Sequence, residues 1–169
     1  MSQPAQLVVG FVISEDFDFV VLTNQLHPIT ATSCWDGICG TVRTPEDIFV
    51  AMARACQERT SLAIPQQYWT KIVELAGIYP DGSHYQLSFL YARANYESIQ
   101  QKILWCPVCA QLYPFGYVFS LATMTHVRWI LEYVQASHKT VGGLVVDHHI
   151  IQLAETHVGL RRDAAVWCG

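Results

Sequence analysis

Two β-rich apolar runs open the chain, at residues 7–14 and 17–23, and the acidic pair Glu15-Asp16 separates them. Apolar runs on either side of a short polar break predict a β-hairpin. A connection rich in Thr, Ser, His and Pro, residues 24–33, leads into the segment at residues 35–40. The period then changes. Ile48, Phe49, Met52, Ala53 and Cys56 recur with the spacing of one buried helical face, while Arg54, Gln57 and Glu58 lie away from it. Thr44 as cap, Pro45 in the first helical position and Asp47 three residues beyond the cap predict a helix over residues 45–59.

After Pro65 the pattern returns to strands. Residues 71–79 predict one, Pro80-Asp81-Gly82-Ser83 a turn, and residues 84–94 a second. In that second strand Tyr85, Leu87, Phe89 and Tyr91 alternate with Gln86, Ser88 and Leu90, so one face is aromatic and the other mixed. Residues 103–108 read as a further short strand, followed by an aromatic loop through Tyr113, Phe115 and Tyr117. Val127, Ile130, Leu131 and Val134 predict a helix over residues 125–136. Gly142-Gly143 breaks the chain, and residues 147–157 read as a helix capped by Asp147 with Ile150, Ile151 and Ala154 inside; a strand beginning at Leu144-Val145-Val146 is the alternative. Strands, a loop–helix–loop, more strands and a helix, without repeats, predict a single α/β domain with a mixed sheet between helices.

Composition narrows the function classes. The chain has 169 residues, room for one core, and 51% of them are hydrophobic. A net charge of −4 argues against a broad basic surface for nucleic acid, leaving space for a small local basic site. No signal-like leader and no long apolar span stand in the sequence, which reads as a cytoplasmic protein with no membrane partner. Six cysteines then read as reduced thiols, and Cys106-Pro-Val-Cys109 has no second CxxC to complete a zinc site.

Residues 40–62 resemble the Nudix box, GX5EX7REUXEEXGU with U a bulky aliphatic residue. Gly40 opens the pattern, Glu46 and Arg54 follow at its spacing, and Leu62 closes it. Ala55 and Arg59 stand where the pattern has the first and last glutamates of its cluster, and Ser61 where it has a glycine; Glu58 is the glutamate that remains. The likeness extends over residues 7–136 and leaves residues 138–169 as an unmatched extension. It implies a Nudix-like α/β/α sandwich with a mixed sheet.

It also implies hydrolysis of nucleoside diphosphate derivatives, with Mg²⁺ or Mn²⁺ neutralising the diphosphate and activating water. In that reading Glu58, Glu46 and the Gly40 carbonyl are the metal ligands, Arg54 orients Glu58, and Glu97 or Glu74 supplies a carboxylate from outside the box. Positions 55, 58 and 59 share one helical face by their spacing, and with Ala55, Glu58 and Arg59 there its charge sums to zero. The expectation is therefore a Nudix-fold protein with impaired or absent metal-dependent hydrolysis that binds a nucleotide-type or phosphorylated ligand, an RNA end or a protein partner, with no cofactor; the alternative is an active hydrolase with a non-standard metal and base set.

Arg59 matches phosphate oxygens by its planar donor fork, or else pairs with Glu58 or another neighbouring acid. Glu46 equally suits the positive end of a helix dipole. Tyr79 and His84 flank the turn and are candidate ligand contacts, with Asp147-His148-His149 a weaker acid-base or metal set. Trp35, Tyr79, Tyr85 and Tyr113 suit either base stacking or core packing. A homodimer is the default assembly.

Overall fold

Apolar runs near both ends of the described chain meet in one mixed sheet. The computed structural model describes residues 5–26, 31–78, 82–104, 109–141 and 150–152, with side chains through Ser137. Tyr79, Cys106 and Asp147-His148-His149 lie outside the described residues. Strand β1 (Ala5–Ser14) occupies the centre and β2 (Phe19–Leu26) returns antiparallel to it, as the hairpin pattern predicts. β3 (Ser33–Asp36) and β4 (Ile38–Thr41) follow, then helix α1 (Ile48–Thr60), a short 3-10 turn at Gln66–Tyr68, β5 (Thr70–Ile78) and β6 (His84–Ala94). Helix α2 (Tyr96–Ile103), β7 (Ala110–Pro114), α3 (Phe115–Val118), α4 (Thr125–Val141) and β8 (Ile150–Gln152) complete the described order.

One edge of β1 is taken over its whole length by β6 in parallel, from Ala5 opposite Tyr85 to Ser14 opposite Ala94. The other edge pairs first with β4, Leu7 to Gly10 against Thr41 to Ile38, and then with β2. β3 and β7 pair with β2, and β5 pairs with β6 antiparallel and β8 parallel. Alternation along β1 and β6 divides the core in two. Val8, Val12, Ile38, Met52, Cys56, Leu90 and Ile99 pack beneath α1 and α2 on one face. Val9, Phe11, Leu22, Phe89, Ile130 and Leu131 pack beneath α4 on the other. The result is the expected α/β/α sandwich, and α4 buries Val127, Ile130, Leu131 and Val134 as its period predicts.

Several local expectations are corrected. α1 starts at Ile48, and its cap is Asp47, whose carboxylate accepts from the Phe49 and Val50 amides. Thr44 and Pro45 instead sit in a turn closed by the Glu46 amide donating to the Arg43 carbonyl at 2.5 Å. The buried stripe of α1 is Ala51, Met52, Ala55, Cys56 and Thr60, a rotation away from the predicted face, with Ile48, Phe49 and Ala53 half-buried. Residues 96–103 form helix α2, capped by the Asn95 side chain; Ile103, the first residue of the strand expected over 103–108, ends this helix, and residues 105–108 lie outside the described residues. Ile99 and Ile103 are its buried pair, too few to show a period in eight residues.

The aromatic loop is ordered as β7 and α3: Tyr113 pairs with Val20 in the sheet, while Phe115 opens α3 and is buried. Residues 150–152, read as helix from the sequence, form β8, where the β-branched pair Ile150-Ile151 suits a strand. Among the described residues no helix is long and apolar enough to cross a membrane.

Candidate functional site

The site is built around β4 and the loop that carries it into α1. Gly40 pairs with Val8 at the sheet centre. A Cβ at Gly40 would stand 2.6 Å from the Ala55 Cβ, so the lack of a side chain lets α1 settle directly on the strand. Ala55 is 2% exposed. It faces the core, while Glu58 points to solvent with its side chain half exposed. The expectation that positions 55, 58 and 59 share one outward face fails here, because Ala55 belongs to the stripe that docks on Gly40.

Beyond Gly40 the loop is tied by Arg54. Its Nε donates to Glu46 Oε1 at 2.7 Å and its Nη2 to Glu46 Oε2 at 2.8 Å, a bidentate pair. The same Nη2 donates to the Thr41 carbonyl at 2.7 Å, and Nη1 reaches Glu58 Oε2 at 3.1 Å. Glu46 also accepts the Arg43 amide. Hydrogen bonding from Arg54 holds the Glu46 carboxyl down at about 2. Glu46 is thus a structural partner of Arg54 and the loop, with both oxygens engaged. Arg54 thus bridges Glu46 and Glu58, and Arg43 stands on the other side of the Glu58 carboxylate at 3.7 Å.

Arg59 lies in the last turn of α1, where a cation suits the negative end of the helix dipole, and its carbonyl accepts the Cys109 thiol at 3.7 Å. Cys109, like Cys34, Cys39 and Cys56, is not part of a disulfide.

The outlying candidates separate. Glu97 follows Ala94, which pairs with Ser14, whereas Gly40 pairs with Val8. Six residues of strand put them on the order of 20 Å apart. Glu97 sits exposed in the first turn of α2 and is not brought to the box. His84 is exposed at the first position of β6, opposite Ile78. It lies toward the Thr41 end of the sheet, with β1 between. Glu74 shares the sheet face of Gly40 through the row Gly40, Val8, Ser88, Glu74. Burial works against its charge, but Lys71, Gln86 and Ser88 outweigh that and keep its carboxyl below the usual range.

On the opposite face lies a polar group that no sequence spacing marks. Asp36 is fully buried; its Oδ1 accepts the Gly37 amide at 2.7 Å and lies 2.6 Å from Nε2 of His126, in the first turn of α4. The residues are ninety positions apart. The signal available in the sequence was an aspartate flanked by Cys34-Trp35 and Ile38-Cys39, a position that asks for a partner. Trp35 and Tyr113, candidates for stacking on a base, pack edge to face against each other at 5.0 Å. A cavity of about 320 Å³ lies elsewhere, between α2 and β7, and contains none of the predicted site residues.

A hard divalent cation asks for a convergent set of oxygen donors. Ala55 and Arg59 bring none, Glu46 is saturated by Arg54, and Glu58 lies between two guanidinium groups. Among the described residues no three His, Cys, Asp or Glu side chains gather to hold a metal. These donors do not fit such an ion.

Solved structures show how general this architecture is. NrtR from Shewanella oneidensis, crystallised with a 27mer DNA, superposes with a TM-score of 0.61 at 15% identity, covering 79% of this chain and 63% of that one. The NUDIX domain of the same NrtR, crystallised with ADP ribose, gives 0.58 at 13% identity, over 80% of this chain and 89% of the domain. The chain has the Nudix fold. A mutT/nudix family protein from Listeria innocua matches with a TM-score of 0.58 at 15% identity, over 84% of this chain and all of that one. No family model matches the chain, and no curated protein matches its sequence. The chain spans just under two thirds of the DNA-bound NrtR, and most of the NUDIX domain alone. At these identities the Nudix likeness is one of fold.

Proposed function

We infer that this Nudix-fold chain binds a nucleotide-type, phosphorylated ligand at the rim formed by Arg43, Glu58 and Arg59, with metal-dependent diphosphate cleavage lost or much reduced. The observation that carries the reading is the state of Glu58. Its carboxylate is flanked by Arg54 at 3.1 Å and Arg43 at 3.7 Å, while Ala55, one turn earlier, is sealed against Gly40. A box in this condition is degenerate: its surface carries guanidinium groups where a hydrolase needs clustered carboxylates. Guanidinium forks pair with phosphate oxygens without a metal. Occupation of the NrtR NUDIX domain by ADP ribose shows that this fold accommodates such a molecule and supports the choice of ligand class.

The test uses ADP-ribose and ADP as probes. Titration calorimetry of the full chain is expected to give binding that persists in EDTA and weakens tenfold or more in Arg43→Ala and Arg59→Ala. Incubation with the same probes and Mn²⁺ is expected to release no phosphate-bearing products. Turnover that disappears in Glu58→Gln would instead establish the active hydrolase. Absence of binding by either probe, with capture of a capped RNA or a protein by the same face, would replace the ligand class.

A further inference from the structure

Gly37 is the point at which β3 leaves β2 and β4 joins β1. Every polar atom of that peptide unit is held. Its amide donates to Asp36 Oδ1 at 2.7 Å, and its carbonyl accepts from Thr23 Oγ1 at 2.7 Å and from Gln25 Nε2 at 3.3 Å. A Cβ here would stand 2.7 Å from Val9 Cγ1 and 2.9 Å from the Gly10 carbonyl, so β1 presses directly on the pivot. Cys39 completes the ring, its thiol reaching Asp36 Oδ2 at 3.7 Å and accepting from Gln25 Nε2 at 3.0 Å.

The ring also has a member from outside the sheet. His126 in α4 shares Asp36 Oδ1 at 2.6 Å and rests against the Phe89 ring at 5.0 Å. The backbone stitches the same junction, with the Trp35 amide donating to Ala122 and the Met124 amide to Trp35. Three residues beyond the pivot lies Gly40, where the box begins.

We propose that His126 is a positioning residue for the box: by holding Asp36 it fixes the Gly37 pivot, so the placement of α4 sets the position of β4 and of the loop that follows Gly40. The proposal is a mechanical link from one face of the sheet to the other. A buried carboxylate cannot give up its donor without finding another, so loss of His126 must be answered at the Gly37 amide or by Asp36 leaving its place. Its consequence for ligand binding rests on the rim being the binding site, whereas the link itself does not.

The experiment is amide hydrogen exchange of the full chain, read separately for residues 38–47 and for the buried turns of α1 at residues 51–56. His126→Ala is expected to raise exchange across 38–47 by tenfold or more and to leave 51–56 within twofold. His126→Gln, which keeps a donor of similar reach, is expected to restore most of the protection. Thr23→Val, which removes another clamp on the same peptide, should raise the same amides. The effects of Thr23→Val and His126→Ala should be non-additive.

Exchange that rises uniformly over both segments, or stays unchanged over 38–47 in His126→Ala, overturns the link. If His126→Ala does not fold, Thr23→Val and His126→Gln decide between the same outcomes. Titration of ADP-ribose forms the second arm: weaker binding in His126→Ala with rescue in His126→Gln extends the link to the ligand. Absence of binding in the wild-type chain removes the rim reading and leaves the exchange result standing.

Discussion

Two polar constructions bracket β4, one on each face of the sheet. Beneath α1, Arg54 joins Glu46, Thr41 and Glu58 at the protein surface. Beneath α4, a fully buried Asp36 joins Gly37 and a part-buried His126. The first is held by charges that water also solvates, and each bond has neighbours that share its work. In the second, the acceptor Asp36 itself has no solvent to fall back on. Burial, more than the number of contacts, decides which of the two is sensitive to change.

That contrast is broken most forcefully at Asp36. Replacing it by Ala leaves the buried Gly37 amide and the part-buried His126 ring without their acceptor, and a loss of about 2–4 kcal/mol is expected in urea unfolding. Arg54→Ala removes the partner of Glu46 and of the Thr41 carbonyl at a site that is partly hydrated. A smaller loss of about 1–2 kcal/mol is expected there by the same measurement.

Acid sharpens the comparison on the α1 side. The folded Glu46 carboxyl, at about 2 against 4.5 ordinarily, contributes stability that is fully present above about pH 4.5. That contribution is lost as pH falls from there through about 2. Thermal melts of wild type and Glu46→Gln, compared from neutral pH downward, should converge across that window. Convergence elsewhere would assign the acid limb to another group.

Smaller effects separate the cap from its alternative. Asp47→Ala should cost about 1 kcal/mol, since the Phe49 and Val50 amides lose their acceptor. Thr44→Ala should stay within about 0.5 kcal/mol, as expected of a surface position. Glu58→Gln is expected to be the mildest, within about 0.5 kcal/mol, because its side chain is half exposed and Arg54 keeps Glu46. A large loss in Glu58→Gln would mean that the rim is structural.

The cap illustrates why nearby signals in a sequence compete. Thr44-Pro45 and Asp47 are both acceptable helix starts, and the choice fell to Glu46. Drawn eight residues forward to Arg54, it pulled the preceding turn out of the helix. The face of α1 was misread for a similar reason. Ile48, Phe49 and Ala53 have apolar side chains, but the close approach at Gly40 favours the small Ala51 and Ala55 against the sheet. Helix α2 escaped notice because its two buried isoleucines fill a single turn interval. By contrast, the β1–β2 hairpin, β6 and the buried stripe of α4 carry many periodic positions each, and all were legible.

By itself the sequence determined the alternation of strands and helices, the box spacing from Gly40 to Leu62, and the pairing of Arg54 with Glu58 one turn apart. These are local, set by dihedral preference and by the repeat of a helix or strand over a few residues. Tertiary structure decided the rest: that Ala55 turns inward onto Gly40, that Glu97 stands at the far end of β1, and that Asp36 meets His126 across ninety positions. Such contacts follow from the order in which strands enter the sheet and the face each residue receives there. No periodicity along the chain encodes that order.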